Sequence, residues 1–255
     1  MNILAISPHL DDAVFSVGGL LHKAVKKGWD CSVITCFTES VLHPTGFALQ
    51  CQTDKGLAIE VDYMKLRRQE DKEACKLLGL DYQWLSFKEA PHRGYMEPKA
   101  LFQQLLPEDT IHHDLEKKLN TIICEKKPDI ILFPYGIGNH VDHQQVVKAV
   151  KNLKQEFPKI RFYQWFDEPY YSKVTNSKEF KEQTTRFEMD KELLNIKALE
   201  FNVTSEFEEK ALACKAYTSQ FNFQFKEERL LYEVFDFARN DTGSGSRYVE
   251  RLVQS

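Results

Sequence analysis

The sequence lacks several things. No run of apolar residues is long enough to cross a bilayer, which needs about 20 of them, and this removes a membrane-spanning helix. No strong charge of either sign is present: the formal net charge is -4 over 255 residues, so no global field favours nucleic acid or an anionic membrane. The N-terminal residues show no basic stretch followed by an apolar core, and strand-like residues begin at once. That predicts no signal peptide and a cytoplasmic location. The six cysteines, Cys31, Cys36, Cys51, Cys75, Cys124 and Cys214, contain no CxxC pair. Scattered in this way, they read as small buried hydrophobes in a reducing compartment rather than a disulfide framework. There is no internal repeat, no low-complexity tract and no domain boundary. What remains is a soluble composition, 42% hydrophobic and 28% charged, with length enough for one sizeable core.

Strand and helix signals alternate through the first part. Ile3–Ile6 is a short continuous apolar run, as a buried parallel strand would be. Ala13–Lys27 is helical and closes on a basic turn before Gly28. Cys31–Phe37, Tyr82–Phe87, Asp129–Phe133 and Ile160–Trp165 read as further strands. Glu60–Leu78, Ile111–Lys126 and Asp142–Phe157 read as helices between them. Thr38–Gly56 and Lys88–Asp109 have loop composition, and loops so long are more often functional than idle. The tail carries helix signals at Lys191–Phe201, Glu206–Tyr217 and Glu227–Arg239, then a turn at Asn240–Ser246 before a last strand or helix. Alternation of this kind implies βαβ units. The expected fold is a single α/β domain over 1–255: a Rossmann-like three-layer sandwich with a mostly parallel sheet. About 1–160 would be its core, and about 161–255 an irregular extension over the strand tips that walls a pocket.

Two clusters carry chemistry. The first, Ser7-Pro8-His9-Leu10-Asp11-Asp12, follows a strand and opens a helix. One carboxylate there could cap the helix. Capping does not require a second carboxylate beside it, and adjacent carboxylates repel unless a cation or donors lie between them. The second cluster is His140-Val141-Asp142-His143. Asp142 followed by Gln145 matches a capping box. His143 shares a helical face with Val146, Val147, Val150 and Leu153, so it starts an apolar face at the helix end nearest the strand tips. His9, Asp12 and His143 would make a three-ligand N/O site with an open position, the catalytic arrangement for zinc. Gly18-Gly19 lies inside the first helix without GxGxxG spacing and reads as close helix packing.

Pro8-His9-Leu10-Asp11-Asp12, the downstream Gly18-Gly19 and His140-Val141-Asp142-His143 resemble, in order and spacing, the PHxDD, GG and HxDH motifs of the PIG-L (LmbE-like) de-N-acetylase family. Arg67-Arg68-Gln69-Glu70 running to Leu78-Gly79, Lys210-Ala211-Leu212 and Tyr217-Thr218-Ser219-Gln220 are similar to later stretches of that family. The resemblance runs to about Gln220 and implies a zinc-dependent N-deacetylase, with ferrous iron as the alternative metal. It implies His9, Asp12 and His143 as metal ligands and Asp11 as the general base for the attacking water. It places His140 to stabilise the oxyanion or protonate the leaving amine, and Asp142 to orient a neighbouring histidine.

Arg67 lies on the helical face with Tyr63, Glu70, Ala74, Leu77 and Leu78, which should bury. It is either an i,i+3 ion pair with Glu70 or a substrate-side arginine held by Glu70. Some members of the family carry a tyrosine two residues before HxDH; here that place is Gly138, and Tyr135 is the candidate to compensate. The aromatic, acidic run Tyr163–Tyr171 resembles a substrate-side loop, with Asp167 and Glu168 as its candidate sugar contacts. The expected substrate is a small molecule or glycoconjugate bearing an N-acetylated aminosugar, and the sequence is compatible with a homo-oligomer. Two rivals stand beside this reading. A sugar-binding pseudoenzyme would keep the pocket without the chemistry. A metallophosphoesterase, suggested by Gly138-Asn139-His140, needs an acidic residue where Val141 stands.

Overall fold

The computed structural model describes residues 1–172, 198–225 and 248–255. In chain order the elements are β1 (Asn2–Ser7), α1 (Asp12–Lys26), β2 (Asp30–Thr35), α2 (Gly46–Thr53), α3 (Tyr63–Leu78), β3 (Asp81–Trp84) and α4 (His112–Lys126). There follow β4 (Ile130–Pro134), α5 (Val141–Leu153), β5 (Arg161–Trp165), β6 (Leu199–Asn202), α6 (Phe207–Ala216), α7 (Thr218–Phe225) and β7 (Val249–Gln254). Among the described residues the sheet runs β3-β2-β1-β4-β5-β7-β6. The first five strands are parallel; β7 lies antiparallel to β5 and β6 antiparallel to β7.

The apolar run of β1 is buried on both faces, which is why it is continuous rather than alternating. Ile3 and Ala5 join a cluster with α1, α3 and α6, while Leu4 and Ile6 join one with α4 and α5. The result is three layers, helix on sheet on helix. α3 begins at Asp62, whose carboxylate accepts from the Lys65 amide at 2.9 Å, and stops at Gly79, held at φ 70°.

α1 is interrupted. Val17 has non-helical angles, φ -135° and ψ 18°, and this frees amides inside the helix. The carboxylate of Glu250, on β7, accepts from the Gly19 amide at 2.9 Å and the Leu20 amide at 2.6 Å, and it pairs with the buried Lys210 ammonium at 2.7 Å. A Cβ at Gly19 would lie 2.9 Å from Val203 and 3.1 Å from Glu250. Glycine is needed there because the C-terminal strands press against α1.

The sequence reading of Thr38–Gly56 as loop misses α2, whose short length and absent side-chain cap leave no signal. Lys191–Phe201 does not end as helix: its last residues enter β6, and the part before residue 198 lies outside the described residues. The helix read at Glu227–Arg239 and the turn at Asn240–Ser246 also lie outside them. Leu77 and Cys124, expected inside, are exposed. No helix among the described residues is long and apolar enough to cross a membrane.

The chain leaves β1 towards β2 and β3 on one side and returns to build β4 and β5 on the other. The loops after β1 and β4 therefore part from each other at neighbouring strand ends. Such a switch point forms a crevice at the carboxyl ends of the strands. Both histidine-bearing clusters lie there.

Candidate active site

The turn after β1 is tied by its own side chains. Ser7 Oγ accepts from the Ala13 amide at 3.1 Å, and Asp12 Oδ2 accepts from the His9 amide at 2.8 Å. Asp11 stands at the head of α1 without capping it. The loop after β4 curls through positive φ at Gly136, Gly138 and Asn139 to reach His140. Here His140 is the cap: its Nδ1 accepts from the Asp142 amide at 3.2 Å. Gln145 instead reaches Asp109 O and His112, so the expected capping box from Asp142 does not form.

These two turns bring His9, Asp12 and His143 together. Asp12 Oδ2 lies 3.2 Å from His9 Nδ1 and 3.2 Å from His143 Nε2. His143 is fully buried, and its Nε2 has no hydrogen-bond partner. The far nitrogens are held from behind. His9 Nε2 meets Asp142 Oδ2 at 2.9 Å, and His143 Nδ1 meets Asp167 Oδ1 at 2.8 Å. Asp167 Oδ2 accepts the Gly136 and Ile137 amides at 2.7 and 2.9 Å. Carboxylates behind both imidazoles are the usual arrangement for histidines that ligate a metal. Two nitrogens, one of them buried without a hydrogen-bond partner, and one carboxylate oxygen fit one divalent cation. His9, His140 and His143 also bring ring nitrogens within 4.8 Å of one another, so His140 borders the same space.

The electrostatics describe a hollow that favours positive charge. Burial opposes a charge on His9, yet Asp12 and Asp142 outweigh it and hold the imidazole up at about 9. Burial acts likewise on His143, and Asp12 and Asp167 hold it well above its ordinary value. Burial would raise Asp12, but the two histidines bring it well below the carboxylate range. His140 behaves differently: burial, reinforced by charge on His9, pushes it down to about 3. It is neutral, its Nδ1 is an acceptor, and its proton is therefore on Nε2. Burial pushes the Asp11 carboxyl up to about 6 against the Arg67 guanidinium 3.3 Å away.

A cleft of about 230 Å³ opens over this point. Its walls include Phe47 and Cys51 of α2, Arg67 of α3, Leu101 and Phe102, Tyr170, and Gln220 and Phe223 of α7. Arg67 lies between Asp11 and Glu89, 2.7 Å from the latter. It does not pair with Glu70, which accepts instead from Thr218 Oγ1 and Ser219 Oγ at 2.6 and 2.7 Å. Three expected sugar contacts lie elsewhere. Tyr135 packs with Phe166 outside the cleft. Asp167 is committed to His143. Glu168 faces a small polar void beside Ser16, Lys210 and Glu250. The ring beside Gly138 is that of Tyr170: a Cβ at Gly138 would lie 3.0 Å from it. Tyr170 was concealed among five aromatics in one short run. Glu89, Arg93 and Phe102 come from the irregular stretch, where no periodicity marks them.

Residues 4–154 match the family described as PIG-L, GlcNAc-PI de-N-acetylase. The chain belongs to the PIG-L family. Among its relatives is the 2'-N-acetylparomamine deacetylase of Streptomyces fradiae, 34% identical over 149 residues, 58% of this chain and 50% of that protein. The protein of the same description from Niallia circulans is 32% identical over 186 residues, 65% of this chain and 66% of its own. The matches thus span half to just under two thirds of those relatives' length. A solved pseudoaglycone deacetylase superposes with a TM-score of 0.77 at 25% identity, covering 99% of this chain and 97% of that one. Within the PIG-L fold, the match ends inside the segment just after α5 and so contains both histidine clusters.

Proposed function

We propose that this protein hydrolyses the N-acetyl group of an aminosugar-containing small molecule or glycoconjugate, using one divalent metal ion. The observation that carries this reading is the convergence of His9, Asp12 and His143 on one point, with Asp11 beside it and uncommitted to any cap. His9, Asp12 and His143 would hold the cation, and its chemistry there would be to lower the pKa of a water from about 16 towards about 7 and to polarise the amide carbonyl. Zinc suits two imidazoles and one carboxylate; ferrous iron accepts the same set, and metal analysis of purified protein distinguishes them.

Each remaining role follows from the protonation states. Asp11 accepts the proton of the attacking water and returns it to the departing amine nitrogen. Arg67 fixes the Asp11 carboxylate and limits its rise. His140, neutral with its proton on Nε2, donates a hydrogen bond to the oxygen on which negative charge develops. That assigns it the oxyanion rather than proton delivery. Asp142 and Asp167 orient the two ligand imidazoles. The part after about residue 160 acts as a wall of the same domain, through Tyr170, Gln220 and Phe223.

The relatives' descriptions make 2'-N-acetylparomamine the first substrate to test, beside simple N-acetylglucosaminides. Acetate release is expected from at least one of them and is lost in Asp11→Asn. A metal-loaded protein releasing no acetate across that panel would sink the proposal and leave a sugar-binding role.

A further inference from the structure

Arg93 lies in the irregular stretch between β3 and α4, outside every motif. Its side chain is only 10% exposed. One guanidinium serves two buried carboxylates. Nη2 lies 2.7 Å from Asp142 Oδ1 and 3.0 Å from Asp109 Oδ2, while Nε donates to Asp109 Oδ1 at 3.2 Å. Nη1 donates to Lys88 O at 2.6 Å. The group stacks on Phe37, 4.7 Å from the ring centre, and Phe37 itself lies 6.2 Å from the His9 ring.

Asp142 explains why this matters. It is 0% exposed, and its other oxygen accepts the Ala90 amide at 3.1 Å and meets His9 Nε2 at 2.9 Å. A buried carboxylate needs a partner. A histidine that gives its other nitrogen to a cation is a neutral donor there and cannot supply the opposing charge. Arg93 supplies it whatever His9 is doing. Its planar fork grips Asp109 through Nε and Nη2, and that grip holds Nη2 against Asp142 Oδ1, which a lysine's point charge would not do for both aspartates.

We propose that Arg93 is a positioning residue for the metal ligand His9, acting through Asp142. The claim rests on His9, Asp12 and His143 being the cation site. Arg93 sets the Asp142 carboxylate, Asp142 sets the ring orientation and tautomer of His9, and Nδ1 is thereby presented to the cation.

The test is zinc affinity by competition with a chromogenic chelator, together with the visible spectrum of the cobalt-substituted protein. Arg93→Met is expected to weaken zinc about 10- to 100-fold and to move the cobalt bands. Arg93→Lys keeps the charge without the fork and is expected to fall between it and wild type. Tyr95→Phe removes the 2.9 Å bond from the Tyr95 hydroxyl to Asp109 in the same segment but leaves the Arg93–Asp142 pair. It should melt lower with unchanged zinc affinity. Wild-type affinity and spectrum in Arg93→Met overturn the proposal, as does an equal loss in Tyr95→Phe. Should Arg93→Met fail to fold, Arg93→Lys decides, and wild-type values there overturn it. His143→Ala run in parallel separates the two layers: if it keeps full zinc, the site itself is wrong.

Discussion

Asp11 and Asp12 are neighbours in sequence with opposite fates. Asp12 faces two imidazoles and stays ionised; Asp11 faces one arginine, loses water contact and rises towards neutrality. Asp11→Asn should therefore keep its metal and lose about 10²- to 10⁴-fold in kcat, which metal analysis and acetate release measure together. Asp167→Asn should do the reverse, weakening metal by about 10- to 100-fold, because its one oxygen is needed by the Gly136 and Ile137 amides and a donating NH2 then faces the His143 ring. Glu168, expected to touch sugar, makes a stability prediction instead. Burial pushes its carboxyl up to about 7, against about 4.3 for an ordinary glutamate. Between those values the folded protein keeps a proton that the unfolded chain has lost, so stability falls as pH rises through that window. Glu168→Gln keeps an acceptor for the Ser172 amide. Its Tm should equal wild type near pH 4.5 and exceed it by about 2–4 °C at pH 8 in thermal melts.

At the scale of elements, what sequence reveals depends on how local the cause is. β1, α3 and α5 are legible because each shows a pattern set by its own burial: a continuous apolar run, a cap with a closing glycine, or one apolar face. His9, Asp12 and His143 are legible because tight turns keep them at fixed spacing. α2 is not, since it has neither cap nor apolar face of its own. Arg93, Tyr170 and Glu89 are not, because long-range packing brings them in and their neighbours in sequence do not predict it. The kink at Val17 is likewise invisible, since the carboxylate that holds the amides it frees stands 231 residues beyond Gly19. Gly19→Ala should cost about 1–3 kcal/mol by denaturant titration, because Val203 cannot easily withdraw. Gly18→Ala, whose Cβ would come no nearer than 3.3 Å to the side chains of Leu78, Val14 and Lys210, should cost less. Lys210→Met leaves Glu250 buried without its ammonium and should cost about 3 kcal/mol or more.

For the whole molecule, a cation held by His9, Asp12 and His143 would join segments from both halves of the chain, so folding and metal uptake would be linked. A chelator should lower the melting temperature. Added metal should raise it in a concentration-dependent way, by about 4 kcal/mol of stability at 1,000 times the dissociation constant. Scanning calorimetry over a metal series checks this, and a melting temperature indifferent to both would contradict a site that exists only in the folded state.

Glu250 holds the amides at the break of α1, the helix whose first turn carries Asp11 and Asp12. This has a consequence for the order of events during synthesis. The strand that steadies the first helix leaves the ribosome after His143 has already emerged. A nascent chain stalled before β7 carries His9, Asp12 and His143 and yet lacks the brace behind the helix that bears Asp11 and Asp12. Stalled chains of increasing length should therefore gain tight zinc retention only once Glu250 has emerged, rather than when His143 appears.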